Sequence, residues 1–150
     1  IMHVDKFARG LGYFRPAEYT PSMELPDDEY PLTLITGRIL YHYNACAMTD
    51  KTDGINEIAG ESIIEINTED ANALGIEHGE MVSVSSRRGE VKARADVSEK
   101  TRPGDVWMSF HFLEGGANWL TSDALDSISS TPEYKVCAVR VAKLDCTCCN

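Results

Sequence analysis

A chain of 150 residues, 43% of them hydrophobic, is long enough to bury one substantial core and reads as one domain. Its formal net charge of −10 argues against nucleic acid or an anionic membrane as a surface partner, and no apolar run approaches the ~20 residues that span a bilayer. An anionic ligand would need a local positive pocket, for which Arg38, Arg87, Arg88, Arg94, Arg140 and Lys135 are the cations of interest.

No charged start followed by an apolar stretch is visible, so no signal peptide is read. An Ile at position 1 points to a fragment or tail of a longer chain. Residues 1–29 read as an extended lead-in arm. Prolines and acids in PSMELPDDEYP disfavour a helix, and Tyr13, Phe14 and Tyr19 are expected to pin the arm to the body.

The first strand opens at Tyr30. Leu32 and Leu34, with the β-branched Thr33, Ile35 and Thr36, give it β character, and Pro31 starts it where a missing donor costs least. Gly37 then permits a bend and leaves no side chain to hold a ligand off. Arg38, His42, Tyr43, Asn44 and Thr49 follow directly. Polar groups crowded just past the end of an apolar strand form a loop suited to holding a polar ligand on a rigid scaffold. Taken alone, Gly37 could equally be a plain turn, Arg38 a surface cation and His42 a partly buried spacer.

Asn44–Met48 could form a short helix, and Asp50–Gly60 reads as a polar loop. A second strand is expected over Ser62–Ile66. The clearest helix is Asn67–Ile76, with Asn67 as N-cap, acids in the first turn, Gly75 as a stop, and Ala71 and Leu74 facing the core. Glu80–Ser86 and Val91–Val97 alternate, and Arg87–Gly89 between them predicts an antiparallel hairpin, with Gly89 supplying positive φ. Val91, Ala93, Ala95 and Val97 should point inward, and Lys92, Arg94 and Asp96 outward. Pro103-Gly104 makes another turn. Val106–Phe110 has apolar groups on both faces, as in a covered sheet. Gly115-Gly116 breaks it and permits close backbone approach. Asn118–Leu125 is a loop or short helix, and Cys137–Leu144 is the last strand. The class is mainly β with short helices, about six strands, in a pattern that favours a small barrel.

Five cysteines, three of them in a Cys-rich tail at 145–150, make a poor disulfide framework and favour a reducing cytoplasm. His42, Cys46, His111 and Cys137 could make a zinc site on paper. They sit in unrelated segments with no CxxC pair, so no metal site is expected. No nucleophile–base–acid arrangement, Walker A or GxGxxG motif appears, and no catalytic residue is assigned.

Thr36-Gly37-Arg38, His42-Tyr43-Asn44 and Met48-Thr49, followed far downstream by NWLT at 118–121 and PEYK at 132–135, carry a resemblance. From about Gly12 to Leu144 the chain resembles the C-terminal molybdopterin-dinucleotide-binding domain of the molybdopterin oxidoreductases, most closely that of the formate dehydrogenase catalytic (alpha) subunit. The resemblance implies a double-psi β-barrel over residues 30–144. It implies molybdopterin guanine dinucleotide as cofactor, lined by Thr36, Gly37, Arg38, His42, Tyr43, Asn44, Thr49, Asn118, Tyr134 and Lys135. Arg38 suits a phosphate because its planar fork stays charged, and Lys135 would add a second cation.

Molybdenum or tungsten, its ligating Cys or selenocysteine, and an iron–sulfur cluster would belong to other domains of the catalytic subunit, and an electron-transfer subunit would complete the assembly. Such a domain closes over the centre that oxidises formate to carbon dioxide and is expected to be inactive alone. Two alternatives stand beside it: a separate small subunit, as in formylmethanofuran dehydrogenases, and a non-enzymatic binding module on the same barrel.

Overall fold

The computed structural model describes residues 3–144, and the Cys-rich tail at 145–150 lies outside them. Six strands close into a barrel: β1 (Leu32–Gly37), β2 (Ile63–Asn67), β3 (Met81–Ser85), β4 (Glu90–Ser98), β5 (Asp105–Ser109) and β6 (Val136–Lys143). Their order around the barrel is β1-β5-β2-β4-β3-β6. β1 runs parallel to β5 and β2 parallel to β4, while the remaining neighbours are antiparallel.

This order contains two interlocked units. The consecutive strands β1 and β2 flank β5, and the consecutive strands β4 and β5 flank β2. Each is a ψ motif, and together they make a double-psi β-barrel. Exchanging β1–β3 for β4–β6 maps the ring onto itself and swaps its two ends, so the topology treats the ends alike.

Alternation explains the core. Leu34, Ile64, Val82, Val106, Met108 and Val139 are 0% exposed and fill the barrel. Burying each such side chain is worth about 1.5–3 kcal/mol. On β4 the inward set is Val91, Ala93 and Ala95, with Val97 half-buried, and small alanines leave room for larger residues opposite. The expected hairpin forms, with Val82 opposite Ala93 and Val84 opposite Val91.

Two helices accompany the barrel. α2 (Thr68–Leu74) is capped by Asn67, whose side chain accepts from the Glu69 N–H at 2.9 Å, and ends at Gly75 with φ 68°. It docks through Ala71 and the following Ile76; Leu74, expected to face the core, is 39% exposed. α1 (Asp53–Ala59), preceded by a 3-10 turn at Thr49–Lys51, lies in the stretch read as a plain polar loop. It buries no residue and has no side-chain cap, so neither periodicity nor a start signal marks it. The short helix expected at Asn44–Met48 is a series of turns. Gly89 does not take positive φ; a Cβ there would lie 3.0 Å from the Trp119 carbonyl oxygen, so close approach is what its small size serves.

The arm reaches β1 without regular secondary structure over residues 12–22. Its aromatics do not pin it: Tyr13, Phe14 and Tyr19 are all exposed. The arm is held by acids instead. The Glu24 carboxylate accepts from Arg87 at 3.0 Å, from Arg88 at 2.5 Å and 3.1 Å, and from the Ala138 N–H at 3.0 Å. Asp27 takes the other arm of the Arg87 guanidinium. Sequence shows aromatic bulk, but the contacts that tie the arm to the barrel are charge-assisted bonds.

Candidate functional site

The registers place the connections 38–62, 86–89 and 110–135 at one end of the barrel. The parallel pairing of β1 and β5 sets Gly37 opposite Ser109, so the residues that follow each strand emerge side by side. Phe110 is the meeting point. The Arg38 guanidinium lies 5.0 Å from its ring centroid and the Lys135 ammonium 5.5 Å. Tyr134 packs edge-on at 6.0 Å, and the Asn118 side-chain amide donates to the Phe110 carbonyl at 3.3 Å. Three sequence-distant candidates, Arg38, Asn118 and Lys135, thus gather around one aromatic residue.

Thr36 and Gly37 serve the scaffold directly. The buried Thr36 hydroxyl donates to the Tyr134 carbonyl at 2.5 Å, and its own carbonyl accepts from the Lys135 ammonium at 3.2 Å. These bonds lock the start of β6 to the end of β1. At Gly37 an added Cβ would sit 2.5 Å from the Trp107 indole nitrogen. Glycine is required there because Trp107 lies across it, a reason separate from ligand access.

The loop after Arg38 folds around two buried imidazoles. His42, 4% exposed, bonds through Nδ1 to the Thr49 hydroxyl at 2.9 Å and donates from Nε2 to the Ala59 carbonyl at 2.6 Å. Thr49 also accepts from the Tyr43 N–H at 3.4 Å. His42 and Thr49 therefore spend their polar atoms on shaping the loop. Tyr43 and Asn44 are exposed on it, Asn44 with φ 48°. His111 accepts from the Ile39 N–H at Nε2, 3.0 Å away, and donates from Nδ1 to the Asn44 carbonyl. The second loop is equally close-packed. Gly115 has φ 67°, and a Cβ there would lie 2.5 Å from the Lys92 carbonyl oxygen. The close approach that Gly115 and Gly116 permit is made by the protein's own backbone.

Arg87, Arg88, Arg94, Lys100 and Lys143 each pair with a carboxylate. Arg38 and Lys135 are among the cations that have no carboxylate partner among the described residues, and both lie over the Phe110 ring. A cleft of ≈ 1190 Å³ at the same end is lined by Asp50, Glu61, Glu90 and Glu114 against one cation, Lys92. Size alone would choose that cleft, but its charge repels an anion. A smaller cleft of ≈ 520 Å³ lies under Ile39 and Tyr41, and the Asn56 Oδ1 and Ser109 Oγ atoms of its lining residues are buried without partners. Burial, with Glu24 beside it, pushes the Cys137 thiol up to about 11, which keeps it protonated and inert at neutral pH.

Phe110 and Trp107 lay outside the sequence-level candidates, and His111 entered only the rejected zinc set. The available signal was positional: Phe110 and His111 directly follow an apolar strand, as Arg38 does. Its meaning depends on the parallel β1–β5 pairing.

The family model described as molydopterin dinucleotide binding domain matches residues 32–138. The chain is 54% identical over 146 residues to the F420-dependent formate dehydrogenase 2 subunit alpha of Methanococcus maripaludis, covering 96% of this chain and 22% of that protein. It is 47% identical over 135 residues to the nitrate reductase of Symbiobacterium thermophilum, covering 87% of this chain and 18% of that protein. The chain thus spans about a fifth of the length of these relatives. Among solved structures, acetylene hydratase from Pelobacter acetylenicus shares the fold, with a TM-score of 0.68 at 16% identity, over 77% of this chain and 18% of that chain.

Proposed function

Because the chain belongs to the molydopterin dinucleotide binding domain family, we propose that it is the C-terminal cofactor-binding domain of a formate dehydrogenase catalytic subunit. The observation that carries this reading is the convergence of Arg38 and Lys135 on Phe110. An acidic chain places two cations without carboxylate partners beside one ring, which fits a ligand bearing a pyrophosphate.

In this reading Arg38 and Lys135 bind the phosphates of molybdopterin guanine dinucleotide. Gly37, Tyr43, Asn44, Asn118 and Tyr134 line it, and Thr36, His42 and Thr49 hold the lining in place. The cofactor, with molybdenum or tungsten and an iron–sulfur cluster in other domains, supplies the redox chemistry by which formate becomes carbon dioxide. The barrel supplies binding, orientation and exclusion of water. The name of the 54% identical relative supports a deazaflavin, F420, as electron acceptor through an electron-transfer subunit. No helix among the described residues is long and apolar enough to cross a membrane. A stand-alone small subunit is the weaker reading, because the relatives are several times longer than the matched region.

The test uses the full-length protein. Losing one charge-assisted bond should cost about 1.5–3 kcal/mol, more than tenfold in affinity. Arg38→Ala and Lys135→Ala should therefore lower metal and guanine nucleotide per chain, together with formate-dependent F420 reduction. Lys100→Ala, at the other end of the barrel, should change neither. Normal cofactor content in both site variants would overturn the reading. Reduction of nitrate in place of formate oxidation would reassign the substrate.

A further inference from the structure

His111 is 1% exposed and both its ring nitrogens are committed to backbone. Nε2 accepts from the Ile39 N–H at 3.0 Å, so the proton sits on Nδ1, which donates to the Asn44 carbonyl. One neutral ring therefore spans both legs of the segment from Ile39 to Asn44. It also stands directly after Phe110, whose N–H donates to the Gly37 carbonyl at 3.3 Å. The side chain thus continues, past the end of the strands, the tie between β1 and β5. His42 packs 6.1 Å away, centroid to centroid, and serves the next part of the loop in the same manner through Thr49 and Ala59.

We propose that His111 is a positioning residue for the dinucleotide-holding loop. It sets the separation of Ile39 from Asn44, and so the place of Arg38 beside Lys135, before the cofactor arrives. This rests on the functional reading above. The chemistry explains why histidine stands there: the imidazole offers a donor and an acceptor on opposite edges of one rigid ring. An Asn can stand in for the Nδ1 donor and a Gln for the Nε2 acceptor, but neither can do both. A loop ordered in advance binds more tightly because less entropy is lost when the ligand docks.

The experiment compares His111→Phe, His111→Asn, His111→Gln, Arg38→Ala and Lys135→Ala in the full-length protein. Hydrogen exchange is read in the cofactor-free form, and metal and guanine nucleotide per chain in the purified enzyme. In His111→Phe, exchange over residues 38–49 should accelerate about tenfold while β2 and β3 stay protected, and cofactor content should fall about tenfold. The Asn and Gln variants each keep one leg and should fall between His111→Phe and wild type. Exchange that accelerates across β2 and β3 as well would reduce His111 to a general packing role and overturn the proposal. Should the Phe variant fail to fold, unchanged loop exchange and cofactor content in both amide variants would overturn it too. Normal content in His111→Phe beside a loss in Arg38→Ala sinks the positioning role alone. Normal content in His111→Phe and Arg38→Ala sinks the positioning role, and normal content in Lys135→Ala as well sinks the cofactor reading with it.

Discussion

The two ends of the barrel are related by its topology, yet they are built differently. The connection from β1 to β2, residues 38–62, corresponds to the connection from β4 to β5, residues 99–104. The first carries Arg38, two ordered histidine contacts and α1. The second is a tight turn in which the Gly104 N–H donates to Asp70 at 2.7 Å. The connection from β5 to β6 carries Phe110, Asn118 and Lys135, and its counterpart from β2 to β3 holds the capped helix α2. The same strand frame supports either a binding end or a stabilising end. Loop length and side-chain chemistry decide which, because the barrel has already met the backbone's hydrogen-bonding needs.

Glycine substitutions probe that contrast most sharply. Both Gly115 and Gly104 have positive φ, where an alanine costs about 1–2 kcal/mol. At Gly104 an added Cβ meets nothing within 4 Å, whereas at Gly115 it lies 2.5 Å from the Lys92 carbonyl oxygen and 3.1 Å from the Ser62 Cβ. Gly115→Ala should therefore destabilise by about 3 kcal/mol or more, adding overpacking to strain, and Gly104→Ala by about 1 kcal/mol. Urea unfolding of the two variants measures the difference. Equal losses would show that the binding end is no more tightly packed than the plain one.

The arm latch should come next. Burial alone would raise the Glu24 carboxyl, but the Arg88 bond, the Ala138 N–H and the charges of Arg88 and Arg87 together hold it below its ordinary value. A depressed folded value stabilises above the ordinary carboxylate range and loses that stabilisation as pH falls through the lowered value. Glu24→Gln should cost about 1.5–3 kcal/mol at neutral pH. The gap to wild type should close as pH falls below about 4, read from urea midpoints across pH. Parallel curves would mean that the latch carries no charge-dependent stability.

The smallest effect belongs to the stabilising end. Asn67 caps α2 and its amide also donates to the Thr101 carbonyl at 2.7 Å. Asn67→Ala should cost about 1 kcal/mol and leave cofactor content untouched. Lost cofactor in that variant would show that the two ends are coupled, and the contrast drawn between them would fail.

Much of the frame was legible in the sequence for local reasons. Period-two alternation marked the strands, and the Val82–Ala93 hairpin followed from two alternating runs around a short turn. The helix after β2 announced itself through Asn67 and Gly75. α1 was not legible, because an exposed helix without a cap or apolar stripe leaves no local trace. The arm was misread because aromatic bulk does not itself say what will bury it, whereas Glu24 and Asp27 found Arg87 and Arg88 far along the chain.

By itself, the sequence determined the mainly β class, most strand positions and the family motifs from Thr36 to Lys135, because each depends on near neighbours along the chain. It also determined that an anion would need a local concentration of cations in an acidic protein. Only the tertiary structure decided that β1 lies parallel to β5, which brings Arg38, Asn118 and Lys135 around Phe110. Only it decided that Gly37 yields to Trp107 and that His111 spans Ile39 and Asn44. Parallel strands are joined by long crossovers, so their pairing depends on how the whole barrel closes and leaves no signature in any one stretch of chain.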